Sequence, residues 1–158
     1  MKTIKQMTVI FLAAVMALSL VACGSAEKTV VLQGDMTEET GGIPTTDTWT
    51  LTAKGDIVQK ITEVYEMDFS DYDEEMIAMA TSMFDSLIME PAQGIEGVEC
   101  TSAMNGSTYV ITMTIDCTGD ALKQAAEAEL LTVDGNTDAI SLKQTQESLE
   151  GQGYKVIE

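Results

Sequence analysis

The chain has 158 residues, of which 26 are acidic and eight are lysine, with no arginine and no histidine. This composition argues against nucleic-acid binding, because such proteins neutralise phosphates with Lys and Arg. It also lacks the Ser–His and Cys–His pairs that activate nucleophiles, so we predict that the protein is not an enzyme.

The first segment of the chain has the pattern of an export signal. Two lysines precede an apolar run over residues 8–22, which is shorter than the roughly 20 residues that span a bilayer as a helix. The run ends in LVAC, Leu20 to Cys23. This stretch resembles the lipobox of bacterial lipoproteins, in which the cysteine is acylated and becomes the first residue of the mature protein.

The predicted anchor defines the domain organisation and the location. We predict a signal peptide over 1–22, a lipidated tether over 23–28 and a single domain over 29–158. The first two lysines are lost with the signal, so residues 23–158 keep six lysines and all 26 acidic residues, a net charge of −20. Because two or three acyl chains, such as palmitate, hold a protein stably at a membrane surface, we expect an extracytoplasmic, lipid-anchored protein of the cell membrane or envelope. Membrane lipid, reached through acylated Cys23, is its predicted partner.

The domain is predicted to begin with strands. KTVVLQ favours a strand at about 29–33, followed by a loop that contains glycine and proline. Trp49, Leu51 and Ala53 then alternate with threonines at the period of two that a strand requires. Gly55 marks a turn of two or three residues. The return strand is predicted to place four residues on one face: Ile57, Ile61, Tyr65 and Met67.

The stretch from Asp73 to Met89 has the clearest helical pattern in the chain. Its apolar residues recur at helical spacing, and Pro91 is expected to end it. Asp71 and Glu74 have the spacing of a capping box. The stripe predicted to pack on the core comprises Met76, Ala80, Met83 and Leu87, flanked by Ile77, Phe84 and Ile88.

A second hairpin is predicted around Asn105-Gly106, the dipeptide that favours a type I′ turn. Setting Met104 opposite Ser107 pairs Cys100 with Ile111 and gives a consistent apolar face. That face comprises Tyr109, Ile111, Met113, Ile115 and Cys117.

The C-terminal part is predicted to contain a short helix over about 121–131, a loop over 133–139, a helix over about 141–149 and a strand over 154–157. The fold class is therefore α+β. We expect a mostly antiparallel sheet, made of two hairpins plus terminal strands, packed against one main amphipathic helix and one or two shorter C-terminal helices. An exposed final strand would form a sheet edge that can pair with a second chain.

Three motifs, in order along the chain, carry a family resemblance. They are Cys23-Gly24, KGDIVQK at Lys54 to Lys60, and SLKQTQESLEGQGYK at Ser141 to Lys155. With these motifs the chain resembles the YehR-like family of uncharacterised bacterial lipoproteins. The resemblance implies an α+β fold with a mostly antiparallel sheet, and it supplies no activity or site residue to transfer. The lack of arginine and the high acidity of this chain are departures that argue against assuming a common ligand.

The two cysteines after the anchor are the first candidates for chemistry. In the predicted register Cys100 and Cys117 lie ~20 Å apart along the hairpin, whereas a disulfide needs Cα atoms within ~7 Å. We therefore favour two buried free thiols. A disulfide formed through a different register is the alternative.

Three other groups have both a metal-binding and a simpler interpretation. The acidic run 68–75 offers oxygen ligands for a divalent cation, but helix capping is favoured. The stretch 134–138 opens like a calcium loop, yet Ala139 and Thr145 stand where that loop needs Gly and Glu. Thioethers can bind Cu(I), but we assign three methionines to the core instead: Met76, Met79 and Met83. No catalytic, cofactor-binding or metal-binding residue is predicted.

Our preferred hypothesis is a non-enzymatic envelope lipoprotein with a binding or structural role. A lipoprotein that binds a divalent cation or another metal is the alternative. A carboxylate hydrolase is the third hypothesis, and it requires two carboxyl groups that face each other in a cleft.

Overall fold

A computed structural model describes residues 26–131 and 139–158; the predicted signal, Cys23 and the stretch 134–138 lie outside them. Six strands form one sheet in the order β4-β5-β3-β2-β1-β6, and every neighbouring pair is antiparallel. The strands are β1 Glu27–Asp35, β2 Thr45–Lys54, β3 Ile57–Asp68, β4 Val98–Asn105, β5 Thr108–Asp116 and β6 Lys155–Val156. The prediction of an α+β fold with a mostly antiparallel sheet is confirmed.

The helical segments are α1 Glu74–Phe84, a π-helical turn Asp85–Met89, α2 Glu90–Ala92, α3 Ala121–Glu127 and α4 Leu142–Gly151. The first three follow one another without a break, and Pro91 lies inside the last turn. The predicted cap is wrong by two residues: Asp73, not Asp71, accepts a 2.9 Å hydrogen bond from the backbone N of Met76. Asp73 has the extended backbone of an N-cap, which aims its carboxylate at the N–H three residues on. Over 26–131 and 139–158, no helix is long and apolar enough to cross a membrane.

The first hairpin contains a β-bulge. The pairing register of β2 and β3 shifts between Thr52 and Ala53, which leaves Gln59 as an extra residue of β3. Side chains alternate between the two faces of a sheet along a strand. One extra residue therefore moves the side chains beyond it to the opposite face. Val58 is therefore fully buried and Ile57 is exposed. The prediction that Ile57 lies on the core face is wrong for this reason.

The second hairpin has the predicted faces in a different register. Asn105 pairs with Thr108, so the two loop residues are Gly106 and Ser107, and Cys100 pairs with Met113 rather than Ile111. Gly106 has φ +66° and comes first in the loop, as Gly does in type II′ turns. A shift of two residues preserves the faces, so the apolar face is confirmed as buried: Tyr109, Ile111, Met113, Ile115 and Cys117.

The core lies on one face of the sheet and consists of two clusters. One lies beneath the C-terminal helices and includes Leu32, Leu51, Ile61, Ile115, Leu122 and Leu149. The other lies beneath α1 and comprises Met67, Phe69, Phe84, Tyr109 and Ile111. The opposite face is rich in half-buried threonines, which is the usual pattern of an antiparallel sheet covered on one side.

Helix α1 is rotated relative to the predicted packing stripe. Phe84 is buried, and its neighbours Ile77, Ala80 and Ile88 pack on the same cluster. The predicted core positions Met76, Met79, Met83 and Leu87 are exposed instead. The assignment of these methionines to the core is therefore wrong. The helix has two adjacent apolar stripes, so periodicity does not select between them. The stripe that contains Phe84 packs on the core because an aromatic side chain buries a large apolar surface.

The C-terminal segment contacts the sheet in two places, at the turn of the first hairpin and along strand β1. Asp56, in the turn of the first hairpin, accepts hydrogen bonds from Ser141 Oγ at 2.7 Å and from the backbone N of Lys143 at 3.0 Å. Ser141 in turn caps α4. Strand β6 pairs with β1 at the sheet edge. The predicted helix and final strand are confirmed, with the strand at an edge as expected.

Candidate functional site

A cleft of about 920 Å³ opens on the covered face of the sheet. Its floor consists of side chains from the three central strands: Trp49, Ile61, Glu63, Tyr65 and Met113. Leu87 and Ile88 of the π-helical turn line one side, and α4 with residues 129–131 and 139–141 lines the other. The volume lies in the range of small-molecule sites, about 300–1,000 Å³.

Two carboxyl groups are buried beneath the cleft. Asp47 is 1% exposed and Glu63 is 4% exposed. Trp49 pairs with Glu63 across β2 and β3, and Asp47 pairs with Tyr65, so the two carboxyl groups are diagonal neighbours on the same face. We call Asp47 and Glu63 the carboxyl pair.

Asp47 is surrounded by hydrogen-bond donors. Its Oδ2 accepts from Nε1 of Trp49 at 2.8 Å and from Oη of Tyr154 at 2.5 Å. Its Oδ1 is buried and, among the described residues, receives no hydrogen bond from an N–H or a hydroxyl group. The carboxyl group of Glu63 is its neighbour in the pair and influences its pKa. Glu63 can donate to Asp47 only when it is protonated, because an ionised carboxyl group is an acceptor only.

Burial and charge give the two carboxyl groups of the pair different pKa values. Burial raises the pKa of Glu63 to about 8, and the negative charge of Asp47 contributes further. Burial also raises the pKa of Asp47, but hydrogen bonds from Tyr154 and Trp49 oppose this. Glu63 also accepts a 2.6 Å hydrogen bond from Oη of Tyr65. Glu63 is therefore the member of the pair that binds a proton near neutral pH.

The charged residues of the described cleft lining are acidic, and of these Glu147 alone has a lysine partner, Lys143. These acidic residues are Glu63, Glu129 and Glu147. Over 26–131 and 139–158, the ion pairs are the exposed Lys123–Glu127 and Lys143–Glu147, and neither includes the carboxyl pair. A buried carboxylate without a cationic partner is uncommon and concentrates at functional sites.

The cysteines are free, as we favoured. Cys117 is buried, and burial raises the pKa of its thiol to about 12. Cys100 is only half-buried, with its Sγ 3.2 Å from Sδ of Met89. The disulfide alternative is therefore wrong.

The acidic run 68–75 acts as a cap, as we favoured, through Asp73. Asp68 accepts from the backbone N of Ser70 in the preceding turn. Within the part of the chain that the structure describes, no group of three or more Cys, Asp or Glu residues is arranged to hold a metal ion.

Sequence reasoning missed Asp47, Glu63 and Tyr154. A signal for the first two exists, because the alternation of Trp49, Leu51 and Ala53 places Asp47 on the same face when extended by one step. Glu63 likewise lies between Ile61 and Tyr65 on their shared face. A charged residue at an inward position is the signal that was available. Tyr154 carries no such local signal.

Comparison with known proteins places the chain in a family. Residues 37–155, which include the carboxyl pair and Tyr154, match the model described as "Protein of unknown function (DUF1307)". The chain belongs to the DUF1307 family. It is similar to an uncharacterized lipoprotein of Listeria monocytogenes, Lmo0207, with 29% identity over 164 residues that cover 99% of each chain.

Two solved structures share the fold of this DUF1307 protein. The NMR structure of the YehR protein of E. coli matches with a TM-score of 0.61 and 18% identity, over 85% of this chain and 93% of that chain. The NMR structure of a protein from Streptococcus pneumoniae TIGR4 matches with a TM-score of 0.54 and 15% identity, over 99% and 98% of the two chains. The predicted resemblance to YehR-like uncharacterised lipoproteins is confirmed.

Proposed function

We propose that this DUF1307 protein is a lipid-anchored, non-enzymatic binding protein of the cell envelope, with the cleft as its ligand site. The cleft is the observation that carries the proposal. It combines a volume suited to a small molecule with a mixed lining of apolar, aromatic and polar side chains.

The anchor is supported by sequence and similarity. The apolar run 8–22 and the following LVAC motif have the features of a lipoprotein signal. The similarity to the Listeria lipoprotein extends over 99% of each chain, so it includes this region. Acylation of Cys23 would hold the domain at the outer surface of the membrane, where a cleft can meet solutes that have not entered the cell.

The chemistry of the carboxyl pair favours binding over hydrolysis. A dyad hydrolase positions water between two carboxyl groups that the substrate can reach. Here Asp47 is buried, and its Oδ2 is occupied by Trp49 and Tyr154. Only Glu63 of the pair lines the cleft. The pair therefore presents one carboxyl group to a ligand, which suits recognition.

The same geometry favours a small molecule over a divalent metal. Calcium takes six to eight oxygen ligands, several of them charged. Glu63 is already engaged with Tyr65 and with Asp47. Within the described residues, no group of three or more Cys, Asp or Glu residues is arranged there to supply the further ligands that a metal needs.

The anchor is tested by mass spectrometry of the protein extracted from its own membranes. We expect Cys23 at the N-terminus, carrying acyl chains, and a Cys23→Ser variant that is not acylated and leaves the membrane fraction. An intact leader or an unmodified Cys23 would contradict the anchor.

The cleft is tested by the fluorescence of Trp49, the only tryptophan in the sequence, which lines it. We expect a saturable change when a low-molecular-mass fraction of the producing cells is added, with the bound molecule recovered chemically unchanged. Ser148→Phe narrows the cleft and should abolish the change. The matched control Glu150→Phe alters the same helix outside the lining and should retain it. No change in the native protein, or equal changes in the two variants, would refute the cleft as the site.

A further inference from the structure

We propose that the cleft binds a small organic ammonium ion with an apolar body, whose positive charge lies against Glu63 and the rings of Trp49 and Tyr65. The inference rests on the proposed function and names the ligand class of that same site.

The sign of the ligand charge follows from the lining. Its three charged residues are acidic, and no lysine lines it among the described residues. The chain has no arginine, the side chain that usually recognises carboxylate and phosphate groups. An anionic ligand would meet the carboxylates of Glu129 and Glu147 with no cationic side chain in the described lining, whereas a cation is attracted by them.

The shape of the charged group follows from the aromatic residues. Trp49 and Tyr65 lie on adjacent strands and both line the floor beside Glu63. Aromatic faces attract organic cations through their quadrupole, and Trp does so most strongly. A carboxyl group beside two such rings is suited to an ammonium group rather than to a hydrated metal ion.

The apolar residues of the lining favour a ligand with an apolar body, and α4 adds four polar residues to the same lining: Gln144, Thr145, Ser148 and Gln152. Leu87 and Ile88 lie on one side of the floor, and Leu130, Leu131 and Ile140 line the cleft as well. Contact with these side chains contributes affinity in proportion to the apolar area removed from water. A bare inorganic cation would leave this surface hydrated.

Binding is coupled to the release of one proton. In the free protein Glu63 is protonated, and an ammonium group beside it stabilises the ionised form. The carboxyl O–H bond breaks, its electron pair remains on the carboxylate, and the proton passes to solvent. The groups that interact with Glu63 through charge or hydrogen bonds are Asp47 and Trp49 from β2, Tyr65 from β3, Tyr154 from the C-terminal segment and Cys100 from β4. Asp47 is the one carboxylate among them and therefore a base, so the pH dependence of binding tests whether the proton leaves to solvent or is transferred to Asp47.

The test compares three molecules with one body and different heads: n-pentylammonium, 1-pentanol and pentanoate. Binding is measured by Trp49 fluorescence at pH 7.5. We expect n-pentylammonium to bind about tenfold more tightly than 1-pentanol, and pentanoate to bind more weakly than 1-pentanol. An alkylammonium has a pKa near that of Lys, about 10.4, so it stays charged throughout. Its affinity should rise with pH up to about 8, by at most about tenfold per unit, while that of 1-pentanol stays constant.

A variant separates the charge of Glu63 from its shape. Glu63→Gln keeps a group that can donate to Asp47, as the protonated acid does. We expect it to lower the affinity for n-pentylammonium about tenfold and to remove the pH dependence, with 1-pentanol affected less than about twofold. Glu147→Gln, at the exposed rim, is the matched control and should change the n-pentylammonium affinity less than about threefold because rim charges are screened.

The outcomes distinguish the two proposals. Equal affinities for the three heads, or preference for pentanoate, would overturn the ammonium assignment and leave the cleft as a binding site. A preference for n-pentylammonium that Glu63→Gln does not reduce would overturn the role of Glu63. No fluorescence change with any of the three molecules would overturn the ammonium site, while the Ser148→Phe experiment decides the cleft independently.

Discussion

Tyr154 donates a 2.5 Å hydrogen bond to Asp47, which lies 107 residues earlier in the chain. Its ring lies over Gly34 of β1, where an added Cβ would come within 2.8 Å of the ring carbons. Gly34 is the direct pairing partner of Asp47. The missing side chain therefore leaves the space through which Tyr154 reaches across β1, and the C-terminal segment is attached to the carboxyl pair.

Removing the Tyr154 hydroxyl should destabilise the protein. Tyr154→Phe leaves a buried, charged acceptor without one of its donors, which costs about 1.5–3 kcal/mol. The free energy of unfolding is measured with urea. Tyr72→Phe is the matched control, since its hydroxyl makes only an exposed 3.3 Å bond to the carbonyl of Gly42, and we expect a change below about 0.5 kcal/mol. Equal effects of the two substitutions would contradict the attachment of Tyr154 to Asp47.

The contact between Gly34 and Tyr154 is tested by adding one methyl group. Gly34→Ala should force the ring away and destabilise the protein by about 1–3 kcal/mol, as overpacking does. In a Tyr154→Phe background the loss should be non-additive, because a ring forced away by Gly34→Ala has already lost the hydrogen bond to Asp47 that Tyr154→Phe removes. Gly151→Ala adds the same methyl group where nothing lies within 4 Å, and in a helix it should stabilise by up to about 1 kcal/mol. Strict additivity would count against the contact.

The carboxyl pair makes stability depend on pH. In the unfolded chain Glu63 has a pKa of about 4.3, and in the folded protein it is raised to about 8. Between these values the folded protein holds the extra proton, so the free energy of unfolding should fall as pH rises, by up to about 1.4 kcal/mol per unit. The decline should end above pH of about 8.

Glu63→Gln should flatten that decline, because the amide does not titrate. Denaturation with urea at intervals between about pH 5.5 and 8.5 measures the slope. The exposed neighbour Glu66→Gln is the control and should keep the native slope. A native profile that rises over this range would contradict the raised pKa of Glu63.

The rotation of α1 is tested on two of its residues. Met79 is 67% exposed, so Met79→Gln should change the free energy of unfolding by less than about 0.5 kcal/mol. Phe84 is buried against the second core cluster, and Phe84→Ala should cost about 3–5 kcal/mol. A large loss at Met79 would show that its stripe packs on the core.

The thiol of Cys117 should be unreactive in the folded protein. Because thiolate is the reactive form and burial raises the pKa of Cys117 to about 12, a thiol reagent should label Cys117 only as the protein unfolds. A Cys100→Ser variant that also carries Cys23→Ser isolates Cys117 for this measurement. Rapid labelling under native conditions would show that Cys117 is accessible.

The sequence determined the local features of this fold. The alternation over Trp49, Leu51 and Ala53 identified a strand and its inner face, and the second hairpin kept its predicted faces although its register differed by two residues. The spacing in 74–89 identified the main helix. These features depend on periods of 2 and 3.6 residues, which short segments contain in full.

Only the tertiary structure decided which of several locally equivalent arrangements forms. The bulge at Gln59 placed Val58 instead of Ile57 in the core, because cross-strand pairing determines where an extra residue is accommodated. The packing of Phe84 exposed the methionine stripe, because two apolar stripes of one helix compete for one core. Asp47, Glu63 and Tyr154 come from three distant segments, so their hydrogen bonds exist only after the sheet has formed and the C-terminal segment has crossed Gly34.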